Sequence, residues 1–204
     1  YTKTLESYQQ ALKITQDLGD RLGEATVLNN LGTVAIKLQH PEEALGYYQK
    51  ALTIYRSLND RSGESTALGN LGGFYHSLAK YAQALEYYQQ ALDMRKSIGD
   101  RGGEANVRNN TGVLFLEQGK YLEAEEYLRE CIKLLESLRP GLTDTDKVSI
   151  FDTQVSSYRL LQIALIAQEK TEEALEIAER GRARALIELL ASKSSNNSPD
   201  LSLA

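Results

Sequence analysis

Cysteine is nearly absent from this sequence. The single residue, Cys131, excludes an internal disulfide and fits a reducing compartment, so a cytoplasmic location is expected. A basic surplus is missing too. With 28 acidic and 23 basic residues the net charge is −5, which argues against a general nucleic-acid or anionic-membrane surface. No apolar run approaches the roughly 18 residues that a membrane span needs. Histidine occurs only at His40 and His76. No Cys/His dyad or zinc spacing appears, and "LGG" and "RGG" lack the strand context of a phosphate loop. No catalytic residue, metal or cofactor is expected. What is present is ordinary for a folded protein: 204 residues, 42% hydrophobic and 25% charged, ample for a core.

The informative feature is repetition. "EATVLNNLG" (24–32), "ESTALGNLG" (64–72) and "EANVRNNTG" (104–112) recur forty residues apart, as do "YQQAL" (8–12), "YYQKAL" (47–52) and "YYQQAL" (87–92). Two helical segments per repeat fit between the breaks. First helices are expected near 24–38, 64–78 and 104–118, second helices near 41–57, 81–97 and 121–138. Gly19, Asn59 and Gly99 suit the left-handed residue that ends a helix. Asp20, Asp60 and Asp100 suit the next N-cap, and Pro41 is tolerated in a first turn. A lone hairpin cannot bury its apolar face, so neighbours must stack.

These residues resemble the tetratricopeptide repeat (TPR) family, in its forty-residue form seen in kinesin light chains, Pins/LGN-type spindle proteins and bacterial signalling proteins. The signature positions are Leu28, Leu31, Gly32, Ala44, Tyr48 and Ala51, then Leu68, Leu71, Gly72, Tyr75, Tyr81, Ala84, Tyr88 and Ala91. The third repeat keeps Gly112, Phe115, Tyr121, Ala124 and Leu128, but has Arg108 and Thr111 where apolar residues are usual. The resemblance implies an all-α fold: an α-solenoid of stacked antiparallel hairpins coiled into a right-handed superhelix. The expected organisation is 1–18 as the second helix of a truncated TPR, then TPRs at 22–60, 61–100 and 101–138. A diverged terminal hairpin follows at 144–191, with Leu161, Leu165, Ala174 and Ala178 in packing positions, and a linker or tail at 192–204, expected to lie against the array or a neighbouring molecule. Because the chain begins mid-pattern at Tyr1, it reads as a cut piece, and a dimer through residues 1–18 would be an artefact of that cut.

Asparagine is a weak helix former, yet Asn30, Asn70 and Asn110 return at one place in every first helix. The resemblance puts that place on the concave surface of the array, where such amides hold the main chain of an extended peptide. An amide offers both donors and acceptors, so it can pair with backbone N–H and C=O alike. The expected groove comprises Asn29, Asn30, Thr33, Lys37, Thr66, Asn70, His76, Asn106, Asn109, Asn110 and Val113. The competing reading is that the amides bridge adjacent hairpins. Lys37 and Arg108 alone do not make the basic clamp of carboxylate-binding TPRs. Cys131 occupies the packing slot of Ala51 and Ala91 and is expected to be inert.

The run "IAERGRARALIELLA" (177–191) resembles the segment that joins TPR arrays to a CHAT domain, a caspase-like protease fold, in bacterial and especially cyanobacterial proteins. On the residues alone it also reads as an i,i+4 ladder, Glu176–Arg180–Arg184–Glu188. The functional expectation is a protein- or peptide-binding sensor or scaffold region of a CHAT-type protein, with no nucleic-acid or membrane partner. A Pins/LGN-like adaptor and a structural spacer or oligomerisation array are the alternatives.

Overall fold

The computed structural model describes the backbone of residues 2–138 and 144–196, with side chains described at 3–138, 153–183 and 186. Among the described residues the fold is all-α, nine helices joined by short turns: α1 Thr2–Asp17, α2 Arg21–Lys37, α3 Pro41–Ser57, α4 Arg61–Ser77, α5 Tyr81–Ser97, α6 Arg101–Glu117, α7 Tyr121–Leu138, α8 Asp144–Ala167 and α9 Thr171–Asn196. None of them is long and apolar enough to cross a membrane. Helix α9 runs past Ala191, where the sequence puts the start of a tail; residues 197–204 lie outside the described residues.

Local chemistry sets the breaks. The Asp20, Asp60 and Asp100 carboxylates accept from the backbone N–H of Gly23, Gly63 and Gly103 at 2.9, 3.1 and 2.8 Å, which satisfies donors that a helix N-terminus leaves open. Gly19, Asn59 and Gly99 take the expected left-handed conformation, at φ 68°, 55° and 72°. The turns inside the hairpins use it too, at Gln39, Ala79 and Gly119. There the Gln39 N–H donates to the Ile36 carbonyl and the His40 N–H to the Ala35 carbonyl, at 3.0 and 2.9 Å, the paired closure of a Schellman turn.

The chain divides into two compact units, Tyr1–Val107 and Arg108–Ala204. In the first, α2–α3 and α4–α5 are successive hairpins. Ala25, Leu28, Leu31, Ala44, Tyr48 and Ala51 are buried in one, and Ala67, Leu68, Leu71, Ala84, Tyr88 and Ala91 in the next. Each large side chain of this kind contributes about 1.5–3 kcal/mol. Glycine lets the paired helices close: a Cβ on Gly32 would sit 2.5 Å from Cε1 of the Tyr48 ring, and Gly72 lies as tightly on Tyr88. Successive hairpins meet where the Tyr55 ring covers Gly63, with the Tyr55 hydroxyl donating to Thr26 at 3.3 Å. Forty residues on, Arg95 replaces the tyrosine, lying on Gly103 and donating to Thr66 at 2.7 Å and to Asp100. Arg21 pairs with Glu24 within one helix turn, whereas Glu64 pairs across the break with Arg56.

The second unit is built on α7, α8 and α9. Leu128, Cys131, Ile132 and Leu135 of α7 are buried, as are Leu161 and Leu165 of α8 and Ala174 and Ile177 of α9. Glu125 is 8% exposed and ties the α8–α9 turn to α7, accepting from Lys170 at 2.7 Å, Arg129 at 2.8 Å and Gln168 at 2.9 Å. Burial alone raises its pKa, but these three donors more than offset that and hold the carboxyl below the usual glutamate range. Arg180 does not stay on its own helix: it donates at 3.1 Å to Glu136 of α7, which also takes the Tyr158 hydroxyl at 2.6 Å. Arg182 pairs with Glu179, and the side chains of Arg184 and Glu188 lie outside the described residues.

Candidate functional site

In the first unit, α2 and α4 lie side by side, and the asparagines meet at their seam. Asn29 is 7% exposed, and its Oδ1 accepts from Nδ2 of Asn70 at 2.9 Å. The partners are 41 residues apart, one more than the repeat. The contact therefore joins two different positions of the repeat, not equivalent ones. Asn70 is half-buried, and valence leaves it a second N–H and a carbonyl oxygen outside this bond. Asn30 is half-buried next to the seam.

The surrounding face is built of hydroxyls and glycines. Thr33 is exposed, its hydroxyl 3.1 Å from the Tyr48 hydroxyl and 3.4 Å from the Asn29 carbonyl. Burial raises the Tyr48 pKa, while the Thr33 contact works the other way. In α4, Gly69 and Gly73 stand where α2 has Asn29 and Thr33. A Cβ on Gly69 would meet nothing within 4 Å, and one on Gly73 only the Tyr88 hydroxyl at 3.7 Å. Lys37 and Asn106 are exposed. His76 is half-buried with its ring 6.1 Å from that of Tyr81. Thr66 is half-buried and tied to Arg95.

The second unit holds the other expected residues. Asn109 is half-buried, with its Oδ1 2.8 Å from the Ser157 hydroxyl. That hydroxyl is also 2.7 Å from the Thr153 carbonyl, so one proton serves two acceptors. Asn110 is exposed and Val113 half-buried. Cys131 has no exposed surface and sits 3.3 Å from Ser157; burial pushes its thiol up to about 11, which leaves no appreciable thiolate at neutral pH. Among the described residues no group of three or more His, Cys, Asp or Glu side chains is placed to hold a metal.

The structure thus joins Asn29 to Asn70 and Asn109 to Ser157, and ties Thr66 to Arg95. Sequence reasoning missed Ser157 and Arg95. A forty-residue count from Asn70 and Asn110 lands on position 150, and the longer connection after α7 displaces the true counterpart by seven residues. Arg95 was hidden because its repeat-mate, Tyr55, is an aromatic.

The tetratricopeptide repeat profile matches residues 1–57 and 63–137. This chain belongs to the tetratricopeptide repeat family. Tetratricopeptide repeat protein 28 of Mus musculus and of Homo sapiens is 46% identical over 59 residues, 28% of this chain. The chain spans only 2% of the length of those relatives. Among solved structures, BtubC (BKLC) from P. vanneervenii superposes with a TM-score of 0.77 at 19% identity, covering 100% of this chain and 78% of that one. NprR, solved in complex with its cognate peptide NprX, gives 0.63 at 18%, covering 96% and 57%. At these identities the likeness carries the TPR fold and nothing finer.

Proposed function

We infer that the first unit of this TPR array binds an extended peptide segment of a protein partner along the α2–α4 face. The observation that carries the reading is the state of the amides. Asn70 is held in one orientation while a donor and an acceptor stay uncommitted, and among the described residues no hydrogen bond engages the side chain of Asn30 beside it. A rigid amide on an otherwise mild surface suits a main chain better than a charged side chain. Thr33, Lys37 and His76 complete the contact, with Thr66 and Asn106 at its margin. In the second unit the exposed Asn110 and half-buried Val113 form a contact of their own for a peptide, which Asn110→Ala in the same titration tests. That NprR was solved with a peptide supports the class of ligand.

The experiment begins with peptides selected from a random nonamer display on the 204-residue protein. Their affinities are then measured by titration against wild type, Asn30→Ala and Asn70→Ala. Each substitution is expected to weaken binding about fivefold, the loss of one net hydrogen bond, with the melting temperature unchanged in Asn30→Ala and lowered in Asn70→Ala, which also leaves the buried Asn29 oxygen without its donor. Failure to recover any binder tighter than about 100 μM, or equal affinity in all three proteins, ends the proposal.

The run 177–191 supports a finer reading, in which the array is the cytoplasmic sensor or scaffold of a bacterial CHAT-type protein and peptide occupancy biases an attached protease. It requires a downstream α/β domain with a histidine and a cysteine beyond Ala204, which reading the onward sequence tests. A second reading is structural: the Asn29–Asn70 and Asn109–Ser157 bonds fasten neighbouring helices, as expected if the amides only bridge hairpins. Unchanged affinity with lowered stability in the same variants selects it.

A further inference from the structure

We propose that Asn29, which is too buried to meet a partner, is the positioning residue of the peptide site and sets the recognition state of Asn70. The inference rests on the peptide-binding reading above. It starts from the division of labour between two adjacent asparagines: Asn29 is 7% exposed and bonded across the α2–α4 seam, while Asn30 is half-buried and makes no such side-chain bond among the described residues. The Asn29 Oδ1 accepts one Nδ2 proton of Asn70 at 2.9 Å. An isolated surface asparagine turns about its terminal torsion and presents donor and acceptor in either order. Asn70 does not have that freedom. With Nδ2 anchored toward α2, its carbonyl oxygen is turned away from Asn29 and offered to a backbone N–H of the guest, and the remaining N–H is left for a backbone carbonyl.

The second unit separates the anchoring role from mere repetition. Asn109, at the matching place in the repeat, also accepts across to the next first helix, but from Ser157, whose hydroxyl is short and fully buried. The acceptor asparagine is thus a clasp between first helices at Asn29 and again at Asn109. Among the described residues, the first unit's clasp ends in an amide with groups to spare and the second unit's does not. Preorganising a binding group removes the ordering cost otherwise met on association, so loss of the clasp appears in affinity as well as in stability.

The test uses the 204-residue protein and a peptide selected as above. Asn29→Ala removes the acceptor, Asn29→Leu removes it while filling the volume, and Asn29→Asp retains it. Titrations are run well below every melting temperature, in wild-type and Asn70→Ala backgrounds. The Ala and Leu variants are expected to bind about fivefold more weakly and Asn29→Asp to stay within about twofold of wild type, with both losses vanishing in the Asn70→Ala background. Unaltered affinity in Asn29→Leu, or the same loss with and without Asn70, overturns the positioning role while leaving the groove intact. Absence of any binder to the wild type overturns the groove reading, and this inference with it.

Discussion

Replacing Gly32 with alanine isolates the physical basis of the hairpin. Gly32 is a buried residue near the middle of α2, and an added Cβ would lie 2.5 Å from Cε1 and 2.7 Å from Cδ1 of Tyr48. Carbon atoms normally approach to about 3.5–4.0 Å, so something must retreat by about 1 Å. The ring cannot: Tyr48 is 4% exposed, and its hydroxyl is engaged with Thr33 at 3.1 Å. The helices must part instead, and overpacking of this kind costs about 1–3 kcal/mol, here toward the upper end. Against that, alanine recovers about 1 kcal/mol of helix propensity, leaving a net loss of about 2 kcal/mol. Gly46 is the control. It lies inside α3 with nothing within 4 Å of a would-be Cβ, so Gly46→Ala keeps the propensity gain of about 1 kcal/mol with no clash. In thermal unfolding followed by far-ultraviolet circular dichroism, Gly32→Ala should melt about 4–8 °C lower and Gly46→Ala about 2–4 °C higher than wild type. The contrast matters more than either shift, because both exchanges are identical except for what the new methyl meets. A Gly32→Ala protein as stable as Gly46→Ala would show that close approach of α2 and α3 is not what the glycine provides.

Two further outcomes concern the second unit. Glu125 has a pKa below the usual range in the folded state, so its network contributes its full stabilisation of α7 against the α8–α9 turn above the ordinary glutamate value of 4.5 and loses it progressively as the pH falls below that value and through the lower folded-state one. Denaturant titrations between about pH 6 and 3 should therefore show a decline that is shallower in Glu125→Gln; identical pH profiles would rule the network out as its source. Cys131, with its thiol pushed up to about 11 and no exposed surface, should resist iodoacetamide at pH 8 until the protein is unfolded. Native-state labelling at the speed of a free thiol would contradict its burial.

The parts of this fold that could be read from the residues are those that obey local rules. Asp20, Asp60 and Asp100 sit three residues before the amides they cap, and Gly19, Asn59 and Gly99 hold the conformation that their side chains tolerate best. Ala79 and Gln39 adopt that conformation without any such preference, so only the period placed their turns. The Asn29–Asn70 pairing was out of reach for another reason. It depends on the offset with which one first helix slides past the next, a rigid-body quantity fixed by Tyr55 on Gly63 and by the other contacts between hairpins. A strict count of forty aligns Asn30 with Asn70, whereas the packed helices bring Asn29 to it.

That offset bears on why asparagine recurs in helices it does not favour. Asn in a helix interior costs about 0.5–0.7 kcal/mol relative to alanine, and one net hydrogen bond returns about 1 kcal/mol. Asn29 and Asn109 are therefore accounted for by their bonds to Asn70 and Ser157 alone. Gly69, at the same place in α4, shows that a repeat can also do without the acceptor. Asn70 is accounted for twice, by Asn29 and by whatever its free groups meet. Asn30 is different: among the described residues no bond offsets its cost, although alanine or leucine would serve the helix better. A residue that weakens its own helix without a partner in the fold finds its reason outside the fold, and that reasoning makes Asn30, ahead of the better-bonded asparagines, the side chain whose loss should be felt by the peptide and not by the protein.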